Sequence, residues 1–494
     1  MSRSSTARRV ALVAAGLGLL PGCGEPELPL TLVRDGQAEI TGQGVLVVVV
    51  DGLRWDHTSL AGYDRDTTPF LLSLANEGMV FTDAWSPTAS RLGAHVAILT
   101  GCDPDLARPP RAAETGEEEP TDSWFLPSSL DLIGQPFLGA GWTTAAFVDD
   151  PDIAELRSFD RGFREFTAYG GDPTDEDDDG QVGVIGVGGR FVQWLYAEPL
   201  DQNWFAYVHL DDLERVLADR EEGSAYRANP ERDEWVPRPE LSRVLPIGIT
   251  EPMLHALPPS RAAEGEPLTL GQYELRYDRG IRAIDKSLRR LVGYADDFGR
   301  TEDLTIVIVG SHGLALGEGG LYLQAGRAAE ADLHVPLIVR PSEALKQELG
   351  WDDGKRSRRA GGIVSLADLA PTLVELLDLR PPEHLQGVSL VPMLRDPDAV
   401  VRDRVFLRAS ALGGRGIAEP DAVLSAAADG AVSVRARGAG AGHALGARRG
   451  ESLLESWAKF QLLERRALHF GEVGRGADPR VELLRLQGAS GEAR

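Results

Sequence analysis

Cysteine is scarce in this chain, with two in 494 residues. Cys23 lies at the end of an N-terminal signal-like stretch, so a processed chain keeps at most Cys102 for its folded body, and an intramolecular disulfide is excluded there. Packing alone must hold the fold. Long apolar runs are also missing: past the N-terminus no stretch approaches the roughly 20 residues that a membrane helix requires. Positive charge is the third shortage. Lys and Arg total 51 against 76 Asp and Glu, a net charge of −25, and no basic run interleaves with aromatics. Such a surface repels polyanions, which argues against a nucleic-acid partner.

What the N-terminus does contain is the layout of an export signal. Arg3, Arg8 and Arg9 precede an apolar run from Val10 to Leu20, which ends in Leu20-Pro21-Gly22-Cys23. The run is too short to span a bilayer. Residues 1–22 are therefore predicted to be a signal peptide, with the body exported. The end of the run resembles a bacterial lipoprotein signal, which would make Cys23 the lipidated first residue and the only membrane contact, placing the protein in the periplasm or on the outer membrane. A plain signal cut nearby is the alternative. Residues 23–43 read as a linker.

From residue 44 the chain alternates strands and helices. Val45 to Val50 is an unbroken run of β-branched residues and Leu, the pattern of a strand buried on both faces of a parallel sheet, and Asp51-Gly52 ends it. Pro69 opens a helix with Leu71, Leu72 and Ala75 inward. A second helix runs from about Gly93 to Leu99, stopped by Gly101. Leu130 to Leu138 (helix), Thr143 to Val148 (strand), Phe191 to Tyr196 (helix) and Trp204 to Leu210 (strand) continue the alternation. Tyr277, Ile281, Ile284, Leu288 and Leu291 fall on one helical face. Leu304 to Val309 and Val335 to Val339 are further strands, and a last helix carries Leu369, Leu373 and Leu376. The fold class is α/β, a large mostly parallel or mixed central sheet flanked by helices over residues 44–400. Past that point Ala, Gly and Arg dominate and short alternating pieces such as Ala431 to Ala436 appear, so residues 401–494 read as a small, partly antiparallel C-terminal subdomain. Residues 215–270, rich in Glu, Arg and Pro without a period, read as a surface excursion.

Several blocks, in order, resemble the sulfatase family of the alkaline phosphatase superfamily: VVVVDGLRWDHTSLAGYDRDTTPFLLSLANEGMVFTDAWSP, GWTTAAFV, WFAYVHLDD, YDRGIRAIDKSLRRLV, TIVIVGSHGLALGEGGLY, HVPLIVRPS and VSLADLAPTLVELLDLRPPEHLQGVSLVPML. The likeness covers roughly residues 44–394. It implies sulfuric ester hydrolysis, with a divalent cation held by carboxylate oxygens and a nucleophile at a helix start.

Carried over residue by residue, that site is incomplete. Asp51 matches the first metal carboxylate, but Gly52 stands where a second Asp is common. The nucleophile position, ahead of Leu99-Thr100-Gly101, is Arg91, and a guanidinium cannot be deprotonated to attack or be converted to formylglycine. Gly93, Ala94 and His95 follow it. A slip of one residue would offer Ser90 instead, if the helix began one residue early. Ser311 takes the place of a metal-binding Asp, while His312 beside it is kept. Glu214 stands where a catalytic His is expected, and Gly317-Glu318-Gly319-Gly320 lacks its His. Asp51 and His312 are thus remnant ligand positions, and Arg91 beside Asp51 suggests an internal salt bridge replacing metal and ligand. His95 and His312 each read as satisfied pocket histidines more than as ligands.

These residues predict no resident cofactor, the alternative being Ca2+ or another divalent cation. Asp175, Asp177, Asp179 and Gly180 imitate the start of a calcium loop, but Gly186 occupies the position of its bidentate Glu. Three functions compete. The first is an exported pseudoenzyme that binds a sulfated or phosphorylated small molecule or glycan, or a partner, through Arg91 and His312. The second is a working metal-dependent sulfatase, phosphatase or transferase built around Ser90. The third is a structural envelope lipoprotein.

Overall fold

The computed structural model describes residues 42–104, 126–150, 153, 158–168, 184–197, 202–211, 213, 269–296, 303–317, 322–323, 330–351, 357–408, 414–426, 432–437 and 456. The signal peptide and Cys23, the calcium-like motif, Glu214 and nearly all of the 215–270 excursion lie outside these residues.

The strands are β1 (Gly44–Val50), β2 (Met79–Trp85), β3 (Thr143–Val148), β4 (Glu165–Ala168), β5 (Trp204–Leu210), β6 (Leu304–Gly310), the short pair β7 (Ala315–Leu316) and β8 (Tyr322–Leu323), β9 (His334–Arg340), β10 (Arg358–Ala360) and β11 (Val364–Ser365). Nine of them form the central sheet in the order β10-β2-β9-β6-β1-β5-β3-β4, with β11 also pairing β2. Every pairing is parallel except those of β9, which runs antiparallel to both β2 and β6. The sheet is mixed, and β1 sits at its middle.

Residue alternation explains the layering. Val45, Val47 and Val49 of β1 belong to one core, and Leu46, Val48 and Val50 to the other, as the two-residue period of a strand dictates. The first core is closed by α2 (Arg91–Thr100) and a helix over Leu369–Leu376. The second is closed by α1 (Pro69–Ala75), Val184–Ala197 and the long Leu270–Ala295 helix. Full burial of each such Val or Leu contributes about 1.5–3 kcal/mol, which is how a fold without disulfides is held.

Local chemistry sets the helix ends. The Leu270–Ala295 helix begins at a reciprocal cap: the Thr269 side chain accepts from Gln272 N–H, and the Gln272 side chain accepts from Thr269 N–H. Its predicted face, from Tyr277 to Leu291, is buried. Helix α2 stops at Gly101, whose φ of 66° is left-handed and cheap only for glycine.

Three expectations change. Leu72 is 42% exposed and Leu74 is buried in its place, because positions 71, 74 and 75 share a helical face and position 72 points about 100° around the helix from it. The helix expected from Leu130 is only Gly134–Gly139. Strand β2 was not anticipated, since Thr82-Asp83 interrupts its apolar run at the point where its register with β9 shifts.

Beyond the central sheet, Val405–Arg408, Arg415–Glu419, Ala422–Ala426 and Val432–Ala436 form a separate antiparallel sheet in chain order. Its apolar face shares a third core with Trp85, Ala89 and Leu333. Arg437, after the last strand, stacks 4.7 Å over the Trp85 ring and pairs with Asp83 at 2.8 Å. No helix among the described residues is long and apolar enough to cross a membrane.

Candidate functional site

Parallel register brings three strand ends together. Val50 of β1 is level with Leu210 of β5 on one side and Gly310 of β6 on the other. The next residues, Asp51, Asp211 and Ser311, therefore emerge side by side at the carboxyl edge of the sheet, where open α/β folds place their sites. His209 lies one step back on β5, on the same face as Tyr207 by strand alternation. The fourth contributor is the start of α2. Ser90 is its N-cap, accepting from Gly93 N–H at 3.3 Å. Arg91 and His95, four residues apart, lie on one face of the first turns.

Asp51 is completely buried, and so are His95 and His209. His209 Nε2 is 2.9 Å from Asp51 Oδ2 and His95 Nε2 is 3.4 Å from Oδ1. The two imidazoles meet edge to face with centroids 4.4 Å apart. Ser311 Oγ donates to Asp51 Oδ1, and Tyr207 Oη lies 2.5 Å from His95 Nδ1. Despite their closeness, Asp51 Oδ2, His95 Nε2 and His209 Nε2 have no partner in hydrogen-bonding alignment.

Burial would raise the Asp51 carboxyl, but the adjacent His209 and His95 outweigh it and hold the group well below the usual carboxylate range. Burial would lower His209, yet the Asp51 charge raises it. For His95, burial and then His209 prevail over Asp51, and its imidazole is pulled down to about 4.

Arg91 does not pair with Asp51, contrary to expectation. Its Nε is 2.8 Å from Asp150 Oδ2 and its Nη1 donates to Asp211 Oδ2 at 3.1 Å, so it ties α2 to the ends of β3 and β5. The two histidines fill the space around Asp51 that the guanidinium was expected to reach. The one-residue slip towards Ser90 does not occur either: the helix starts at Arg91 and the Ser90 hydroxyl is engaged as its cap. His312 is buried beside the site, with Nδ1 2.9 Å from its neighbour Gly313's carbonyl oxygen, and is not one of the three converging donors. Gly52 has a φ of 74°, and a Cβ there would lie 2.7 Å from Leu314 Cδ1. A second carboxylate at this position meets both backbone strain and a clash.

His209 was not singled out by sequence reasoning. The available signal was two polar residues, Tyr207 and His209, at every second position of an otherwise apolar strand end. The acidic residues that bind Arg91 were likewise visible only as the residues after strands.

The sulfatase family profile matches residues 43–379, and the chain belongs to that family. Its relatives include the multifunctional alkaline phosphatase superfamily protein PehA of Trinickia caryophylli, 31% identical over 143 residues that cover 27% of this chain and 25% of that protein. The N-acetylglucosamine-6-O-sulfatase of Bacteroides thetaiotaomicron is 28% identical over 125 residues, covering 25% and 21%. The matched stretches thus span about a quarter or less of these relatives. The fold is similar to that of BT4656, solved in complex with its substrate D-glucosamine-2-N,6-O-disulfate, with a TM-score of 0.61 and 16% identity, covering 89% of this chain and 99% of that one.

The family's cation is expected among several carboxylate oxygens, and Ca2+ takes 6–8 oxygen ligands in all. Among the described residues the converging donors are one carboxylate and two imidazole nitrogens. This set does not fit Ca2+.

Proposed function

We propose that the protein is a sulfatase-family pseudoenzyme that binds a sulfated or phosphorylated saccharide, or a partner carrying one, without cleaving the ester. The carrying observation is Arg91. At the helix start where the attacking group belongs stands a guanidinium with no removable proton, fixed by Asp150 and Asp211. Ser90, the neighbouring hydroxyl, caps α2 by accepting from Gly93 N–H, and a side chain at Gly52 would sit at a left-handed φ and press on Leu314. Arg91 keeps 23% of its side-chain surface exposed, so a ligand can reach it beside the N–H groups of the α2 start. The ligand class is taken from the relatives, one of which is named for a glucosamine sulfate and one of which was solved with a glucosamine disulfate. Export, with a lipid on Cys23, belongs to the same reading and rests on the N-terminal sequence.

The test is to assay the purified body with chromogenic sulfate and phosphate esters, with and without added Ca2+, Zn2+ and Mn2+, and to follow thermal unfolding with sulfated mono- and disaccharides. No turnover together with a saturable rise in Tm is expected. Turnover abolished by Ser90→Ala would overturn the reading in favour of a rearranged hydrolase, and absence of any protection would remove its ligand-binding half.

A further inference from the structure

We propose that Asp51, His95 and His209 form a binding site for one borderline transition cation of the Zn2+ class, in place of the oxygen-ligated cation that the family resemblance implies. The ligating atoms are Asp51 Oδ2, His95 Nε2 and His209 Nε2, and the proposal is independent of whether any ester is cleaved.

Four observations converge. The three residues offer donor atoms within 4.8 Å of one another, all fully buried. These atoms lack aligned hydrogen-bond partners, and three buried polar atoms turned on one point are costly unless something occupies it. The surroundings orient two of them as ligands: His95 holds Tyr207 Oη through Nδ1, leaving Nε2 to face Asp51, and Ser311 Oγ donates to the other carboxylate oxygen. Such supporting partners of metal-binding imidazoles and carboxylates fix tautomer and aim. Finally, proximity and chemistry agree. His209 Nε2 and Asp51 Oδ2 are 2.9 Å apart, and donors on a tetrahedral ion with bonds of about 2.1 Å lie about 3.4 Å apart, so an ion would spread this pair by only about 0.5 Å. Two imidazoles and a carboxylate suit Zn2+ and its neighbours and not Ca2+ or Mg2+.

The donors sit on rigid elements, the ends of β1 and β5 and the first turns of α2, so the site is formed before any ion arrives. The buried Asp149 and Asp150, whose charges act on His209, add negative charge around the single Asp51 carboxylate, part of it shared with Arg91.

The experiment uses the untagged chain, purified without chelator, with metal content measured by plasma mass spectrometry. The chelator-treated chain is then titrated with Zn2+, Co2+ and Ca2+ while Tm and the visible spectrum are followed. Expected are about one Zn2+ per chain, a rise in Tm with Zn2+ or Co2+ and none with Ca2+, and visible Co2+ bands of low-coordinate geometry with nitrogen ligands. His95→Gln and His209→Gln should each lose the Co2+ bands. Tyr207→Phe should keep the stoichiometry and weaken affinity by about 10–100-fold, which also serves if the histidine variants fail to fold. A natively folded wild-type chain that takes up no stoichiometric Zn2+ or Co2+ would overturn the proposal, since Asp51 is then satisfied by the histidines' protons alone. Preference for Ca2+, or a His209→Gln variant that binds as wild type, would overturn it equally.

Discussion

Arg91 Nε lies 2.8 Å from Asp150 Oδ2, and this pair sets the character of the site. An arginine at a helix start could have been a partner for Asp51. It instead ties α2 to β3, with Asp211 of the β5 edge as its second anchor at 3.1 Å, and keeps 23% of its side chain exposed on the open side. Asp150 is nearly inaccessible, with 2% of its side chain exposed, so it depends on this neighbour.

Removing the guanidinium should therefore cost stability as well as ligand binding. Arg91→Ala is expected to destabilise the fold by about 1–3 kcal/mol, below the full cost of breaking a buried pair because Arg91 is partly exposed. Urea unfolding measures this directly. Arg91→Ala/Asp150→Asn should recover part of the loss, because the orphaned carboxylate is what the single change leaves behind. Equal stability of Arg91→Ala and wild type would show that the tie carries no energy.

Restoring the missing carboxylate should fail for a backbone reason. Gly52→Asp places a side chain at φ 74°, against Leu314, and is expected to lower stability by about 1–3 kcal/mol. The same turn is pinned from behind, since Tyr277 Oη donates to Gly52 O at 2.5 Å and accepts from Arg54 N–H at 3.0 Å. The double variant Gly52→Asp/Leu314→Ala should relieve the clash but keep the φ penalty, so its Tm falls short of that of Leu314→Ala alone. A Gly52→Asp protein as stable as wild type would show that the turn can reshape.

The architecture was legible because its signals are local. The all-apolar run Val45 to Val50 can only be a strand covered on both faces, and the spacing from Tyr277 to Leu291 can only be a helix face. Strand β2 escaped because its polar interruption at Thr82-Asp83 breaks the period. The site was less legible for a different reason. Which residues meet around Asp51 depends on the register of β1 with β5 and on where α2 begins, and neither is written near Asp51 in the chain. Motif alignment could say that Arg91 is not a nucleophile. It could not say that His209, on a strand far along the chain, reaches the Asp51 carboxylate.

Tyr277 offers a check on how the β1 turn is held. Tyr277→Phe leaves the ring packing intact and removes one hydroxyl that serves two buried backbone groups, Gly52 O and Arg54 N–H. A loss of about 1–3 kcal/mol is expected, the cost of leaving buried polar groups unmatched, read from the urea midpoint with unchanged slope. No change in midpoint would mean that the two backbone groups find other partners.

The last prediction concerns pH. Asp285, on the Leu270–Ala295 helix, accepts from the N–H groups of Phe70 at 2.9 Å and Leu71 at 3.0 Å at the start of α1. Burial dominates over these bonds and over nearby Arg282, and its pKa is pushed up to about 6 from 3.8. Between those values the folded chain holds a proton that the unfolded chain has released. The contribution of Asp285 to stability is therefore largest in acid, falls as pH rises from about 4 to about 6, and stays low above that. The whole swing is about 3 kcal/mol. Other groups titrate too, Asp51 in the opposite sense, so the measurable quantity is a difference. Asp285→Asn keeps an acceptor at the α1 start but cannot ionise. The unfolding free energy of wild type minus that of Asp285→Asn should decline between pH 4 and pH 7 and then level off. A difference that is flat, or that grows with pH, would mean that the helix-start N–H groups outweigh burial and that Asp285 is an ordinary ionised cap.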